Sequence, residues 1–111
     1  MKKIFISGAY SAPTRDQVED NIAHARQAAI ELTRQGWAVF CPHLNTAHFE
    51  ERLPELTGGD WLARCVAWLE CCDAIYVLAG SDHSVGTGIE VGLAKSLGLE
   101  IIHEQPGVST P

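Results

Sequence analysis

The sequence predicts an α/β protein: a small parallel sheet covered by helices on both faces. Two observations predict it. Short β-branched and aromatic runs alternate with stretches of three- and four-residue apolar spacing, in the order strand, helix, strand, helix, strand, helix, strand. Capping residues and glycines stand at the borders of those stretches. At 111 residues the chain is expected to form one domain, residues 1–111, around a single core, with 104–111 as a flexible tail because it carries two prolines and no apolar period.

Lys3 to Ser7 reads as a buried first strand stopped by Gly8, followed by a loop to Arg15. Thr14 with Gln17, or Asp16 with Glu19, offers a capping box. The apolar spacing of Val18, Ile22, Ala25, Ala29 and Leu32 then predicts a helix that ends at Gly36 as the residue past its C-cap. Trp37 to Cys41 is a second strand, ended by Pro42, and the polar stretch after it is irregular or briefly helical. Asp60 is expected to cap a second helix with Leu62, Val66 and Leu69 as its apolar stripe. Ala74 to Ala79 is the third strand, Gly86 to Leu97 a third helix closed by Gly98, and Leu99 to His103 the last strand. For a strand order 2-1-3-4 the winding reverses between strands one and three. Ligands in such sheets sit beyond the carboxyl ends of the strands, which singles out the loops Gly8 to Arg15 and Gly80 to Gly86.

Eight Lys plus Arg against fourteen Asp plus Glu leave a net charge of −6, a poor surface for a nucleic-acid polymer. A small phosphorylated ligand is still compatible, because backbone N–H groups at one helix start can hold a phosphate in an acidic protein. The longest apolar runs are too short to span a bilayer, and Met1-Lys2-Lys3 leads at once to Gly8, Tyr10 and Pro13 rather than to a signal-peptide core. No membrane partner and a cytoplasmic location are expected. Cys41, Cys65, Cys71 and Cys72 contain no C-x-x-C spacing and read as reduced, mostly buried thiols.

Ser84, Gly86, Gly88, Glu90 and Gly92 form the densest chemical cluster. One reading is an anion or sugar site with a carboxylate nucleophile beside it. The other makes Ser84 a helix cap, the glycines close helix-to-sheet contacts and Glu90 a charge suited to a helix start.

The run from Ser84 through Gly86, Thr87, Gly88 and Glu90 to Ala94 resembles the signature of the nucleoside 2-deoxyribosyltransferase superfamily, which includes deoxynucleoside monophosphate N-glycosidases. The likeness extends to Ile4–Tyr10, the helix from Asn21 to Gly36, the proline after strand two and Cys72-Asp73-Ala74. It implies a flavodoxin-like fold and N-glycosidic cleavage or transfer through a Glu nucleophile, here Glu90, oriented by a phenol, here Tyr10. Transferases of free nucleosides carry Asp where this chain has Ser84, and monophosphate hydrolases carry Ser, so the resemblance implies a nucleoside 5′-monophosphate ligand. Backbone of Gly8, Ala9 and Ser11, the neighbouring Ser7, and Ser11 or Arg15 would complete a substrate cradle with Ser84 and Gly86.

One position departs from the family pattern. The Asp usually found eight residues before the one that precedes strand three is Cys65 here, a weak hydrogen-bonding group. Another group must then supply the acid, with Asp60, His43, His48, Asp82 and His83 as candidates, or the protein is a catalytically weakened nucleotide-binding module. His43 and Asp82 also count as substrate-binding candidates. Cys41, His43 and His48 could ligate a metal, but their spacing matches no zinc pattern, and no metal or cofactor is expected. Trp61 and Trp68 lie seven residues apart, nearly on one helix face, and are assigned to core or subunit packing in a homodimer or larger homo-oligomer.

Overall fold

The computed structural model describes residues 1–105, so all of the expected tail except its first two residues, 104 and 105, lies outside the described residues. Four strands, β1 (Lys3–Ser7), β2 (Ala38–Phe40), β3 (Ala74–Val77) and β4 (Glu100–His103), form one sheet in the order β2-β1-β3-β4, every pair parallel. Helices α1 (Arg15–Arg34), α3 (Gly58–Leu69) and α4 (Val85–Ser96) cover it, and the stretch after β2 holds a four-residue α2 (Pro42–Asn45) and a 3-10 turn at Phe49–Glu51. The expected α/β architecture and strand order are borne out.

Strand alternation distributes β1 between two cores. Ile4 and Ile6 pack with Ala25, Ala28, Ala29 and Leu32 of α1 on one face. Phe5 packs with Leu69, Ile75 and Ala94 on the other, beneath α3 and α4. Each large apolar side chain so buried contributes about 1.5–3 kcal/mol. The period of two therefore turns Ser7, two residues after Phe5, toward α4. The crossovers β1-α1-β2 and β3-α4-β4 run in opposite directions along the sheet, so a common right hand places α1 and α4 on opposite faces.

Several borders moved for identifiable reasons. Thr14 caps α1 with Gln17 as its box partner, as expected, and Gly36 at φ +100° is the left-handed residue past the C-cap. α3 starts earlier than its expected cap. Thr57 is the N-cap and Asp60 the N3 partner of a reciprocal capping box, the two roles that a Thr-x-x-Asp run shares out in this order. β2 is shorter than Trp37 to Cys41 because the Trp37 N–H closes α1 through the Leu32 carbonyl and Cys41 caps α2. β3 ends at Val77, since the Ala79 N–H donates to the Glu104 carboxylate at 2.8 Å. Glu104, whose N–H also reaches the Val77 carbonyl, is thereby part of the folded body rather than of a frayed tail. Gly88 and Gly92 make no close contact with the sheet: both are exposed, and an added Cβ would meet nothing within 4 Å.

Candidate active site

The winding reversal between β1 and β3 opens a cleft of 790 Å³ beyond their carboxyl ends. That size falls within the range of small-molecule sites. Its walls come from the loop after β1, from α2 and the segment behind it, from α3, and from the turn that leads into α4.

Glu90 lies in the wall formed by α4 and is only 7% exposed. The Ser7 hydroxyl donates to its Oε1 at 2.5 Å, the contact that strand alternation sets up. Cys65, from α3, lines the same cleft. Burial pushes the Glu90 carboxyl above its ordinary value, and the Ser7 hydroxyl, then the nearby Cys65, pull it part of the way back by favouring the anion. Burial first, and then the Glu90 charge, push the Cys65 thiol up to about 12, so it stays protonated.

Ser84 caps α4, its hydroxyl oxygen accepting from the Thr87 N–H at 3.2 Å. Capping leaves the hydroxyl proton available to a ligand, so the cap and the site readings of Ser84 are compatible. The Ser84 N–H goes to the Ser81 carbonyl, whereas Val85 and Gly86 are the first-turn positions whose N–H groups a helix cannot use itself, and both line the cleft. Beside them, Thr87 is buried and its Oγ1 has no hydrogen-bond partner among the described residues. It lies three positions before Glu90 on one helix face and lines the same cleft. A buried hydroxyl without a partner in a cleft wall is a group suited to a ligand.

The loop after β1 is held close to β3. A Cβ on Gly8 would come within 2.5 Å of the Leu78 side chain. The Ala9 N–H is committed to Ser81 Oγ at 3.1 Å, and the Ala9 carbonyl accepts from His43 Nε2 at 3.0 Å. Burial lowers the His43 pKa, keeping its ring neutral, and raises the Cys41 thiol to about 11, so the thiol can donate to Nδ1 across 3.9 Å. These two residues form an internal pair, and His48 is directed elsewhere, to Glu19.

The other candidate residues differ in where they lie. Tyr10 lines the cleft, but its hydroxyl donates to the Glu50 carboxylate at 2.9 Å and accepts from the His48 N–H at 2.8 Å. The hydroxyl that holds Glu90 belongs to Ser7 instead. Ser7 itself is 1% exposed and stands behind the carboxylate, not in the cleft wall. Arg15 is exposed and paired with Glu51 at 2.9 Å and Glu19 at 3.6 Å, away from the cleft. Asp82 is exposed outside the cleft lining, while Ser11, Gly86 and His83 line it. Among the acid candidates, Asp60 is occupied by the α3 capping box, which lowers its pKa, and His48 by Glu19.

Sequence reasoning missed the wall formed by α3. Trp61, Leu62, Cys65 and Trp68 all line the cleft, and Trp68 is half exposed rather than packed in the core. The four- and three-residue steps around Cys65 were the available signal.

The fold matches that of the 2-deoxyribosyltransferase from the psychrotolerant bacterium Bacillus psychrosaccharolyticus, at a TM-score of 0.66 and 22% identity, over 98% of this chain and 76% of that one. It also matches the 2-desoxiribosyltransferase from Leishmania mexicana, at 0.64 and 20% identity, over 93% of this chain and 63% of that one. The chain thus spans less than two thirds of the Leishmania protein. The expected likeness to this superfamily is borne out at the level of fold. No curated protein matches the sequence. Residues 2–103 match the family described as a domain of unknown function, DUF4406, and the chain belongs to that family.

Proposed function

We propose that the protein cleaves or transfers the N-glycosidic bond of a nucleoside 5′-monophosphate, with Glu90 as the nucleophile. The observation that carries this reading is the Glu90 carboxylate itself: buried in the wall of a ligand-sized cleft, held by the Ser7 hydroxyl, and on the same helix as a start that suits an anion. In the first step a Glu90 oxygen bonds to the anomeric carbon, and the glycosidic electron pair leaves with the base. The base takes a proton as it departs. We assign that proton to His83, an acid candidate that lines the cleft. In the second step water, or a second base, attacks the sugar ester at the same carbon and frees Glu90.

The Ser84 hydroxyl and the Val85 and Gly86 N–H groups are assigned to the 5′-phosphate. They offer donors and no negative charge, which an Asp at position 84 would add. Thr87 Oγ1 is assigned to the sugar, next to the reacting carbon.

A second reading keeps the cleft and removes turnover. It rests on Cys65, whose thiol, held protonated up to about 12, is a poor proton donor to a leaving base. Incubation with a panel of ribo- and deoxyribonucleoside 5′-monophosphates and free nucleosides, with free base followed by chromatography, separates the two. Base released from monophosphates by the wild type and lost by at least 100-fold in Glu90→Ala, on the order of removing an essential nucleophile, is the expected result. Release from free nucleosides alone overturns the phosphate assignment. No release, with a nucleotide still raising the melting temperature, establishes the binding module.

A further inference from the structure

The roles assigned so far leave the α3 wall of the cleft without a task. Trp61, Cys65 and Trp68 recur at four- and three-residue steps, so they share one face of α3, and all three line the cleft. Cys65, between the two indoles, lines the cleft with Glu90. Trp68 is 50% exposed, yet its ring is not loose. It stacks on Phe40 with centroids 4.4 Å apart and planes 17° from parallel, and Phe40 in turn stacks on the fully buried Phe5 at 5.9 Å and 26°. A column of three rings thus rises from the core and ends in a half-exposed indole at the cleft. Trp61 is braced differently, by the Arg64 guanidinium 5.9 Å from its ring centre.

We propose that this wall is the base subsite, where Trp68, with Trp61 beside it, stacks the planar heterocycle of the nucleotide. The inference rests on the function proposed above and adds the orientation of the ligand. A base is bonded directly to the anomeric carbon, so it must lie within one bond of the atom that Glu90 attacks. Of the walls that meet at Glu90, the start of α4 carries the donors a phosphate needs, and α3 carries the aromatic faces. Stacking on a rigid ring requires no particular edge pattern and grows with ring area. Trp61, Leu62 and Trp68 present no carboxylate or hydroxyl to a base edge. The subsite should therefore accept several bases and hold purines more tightly than pyrimidines.

The test measures binding by calorimetry in the Glu90→Gln background, which keeps the ligand intact. Three probes are compared: 2′-deoxyadenosine 5′-monophosphate, free adenine and 2-deoxyribose 5-phosphate. Trp68→Ala should weaken the two adenine-containing probes by about tenfold, the loss of one base–aromatic stack, and leave the sugar phosphate unchanged. Trp68→Phe should restore most of that loss. Equal weakening of all three probes, or of none, overturns the subsite, as does tighter binding to the wild-type cleft of a fourth probe, free cytosine, than of adenine. Light scattering on the same proteins adds one outcome: if Trp68→Ala breaks an oligomer without changing adenine binding, the face belongs to a second copy of the chain and the subsite is overturned. Adenine binding that depends on Trp68, in a protein that releases no base from any nucleotide, would retain the subsite and reject the catalytic reading.

Discussion

Glu90 shows how one residue's environment carries both stability and chemistry. Its burial opposes ionisation, and the Ser7 hydroxyl and the nearby Cys65 only partly offset that, leaving its pKa above the ordinary 4.5. The folded protein therefore keeps the Glu90 proton to higher pH than the unfolded chain does, and this group's contribution to stability falls as pH rises through that window. Glu90→Gln lacks the titration. Denaturant unfolding at a series of pH values from 4 upward, the start set by the ordinary carboxyl range of about 4.3, should find the variant gaining on the wild type as pH rises above 4.5. A constant difference would show that burial does not shift this carboxyl. The residues on either side of Glu90 differ in how far the sequence revealed them. Glu90 and Ser84 stand out from the run around them. The partner of Tyr10 does not, because Glu50 lies 40 positions away in a stretch without periodicity. The Ser7 hydroxyl could have been inferred from the period of β1, but only once Phe5 is known to face α4.

At the scale of elements, local chemistry set the helix starts. Thr14 with Gln17 and Thr57 with Asp60 form reciprocal boxes, each satisfying two N–H groups that a helix leaves unpaired. The second box was legible in Thr57-x-x-Asp60, and placing the cap at Asp60 missed it because Asp suits either position. Thr57→Ala should cost about 1 kcal/mol in denaturant unfolding. Since α3 carries Cys65 and both cleft tryptophans, fraying of its first turn should also reduce nucleotide affinity more than the loss of stability alone accounts for. A variant as stable as the wild type would show that the box does not hold the helix. Gly88 and Gly92 teach the reverse lesson. Glycine in a helix suggested close packing, and the contacts of α4 show both positions open. Nothing in the structure explains why glycine stands at either position.

At the scale of the whole molecule, the cleft exists because segments 70 residues apart are pressed together where the winding reverses. Gly8, just after β1, lies against Leu78, just after β3, with no room for a side chain. Gly8→Ala must push Leu78 or the loop aside. It should destabilise the protein by about 1–3 kcal/mol, the usual cost of overpacking, with a matching fall in melting temperature by calorimetry. An unchanged melting temperature would mean that the loop can move away freely, and then it could not define the floor of a site. Among the described residues no helix is long and apolar enough to cross a membrane, consistent with the short apolar runs in the chain.

The sequence by itself determined the alternation of strands and helices, the parallel sheet, the glycine stop of α1 and the positions of Glu90 and Ser84. Each depends on residues within a few positions of one another, through periodicity, capping or a local run. Only the tertiary structure decided which hydroxyl meets Glu90, which carboxylate takes Tyr10, and that Trp61 and Trp68 face a cleft rather than the core. Those outcomes depend on which faces of distant elements are brought together, and a linear pattern carries the spacing along an element but not the partner across it.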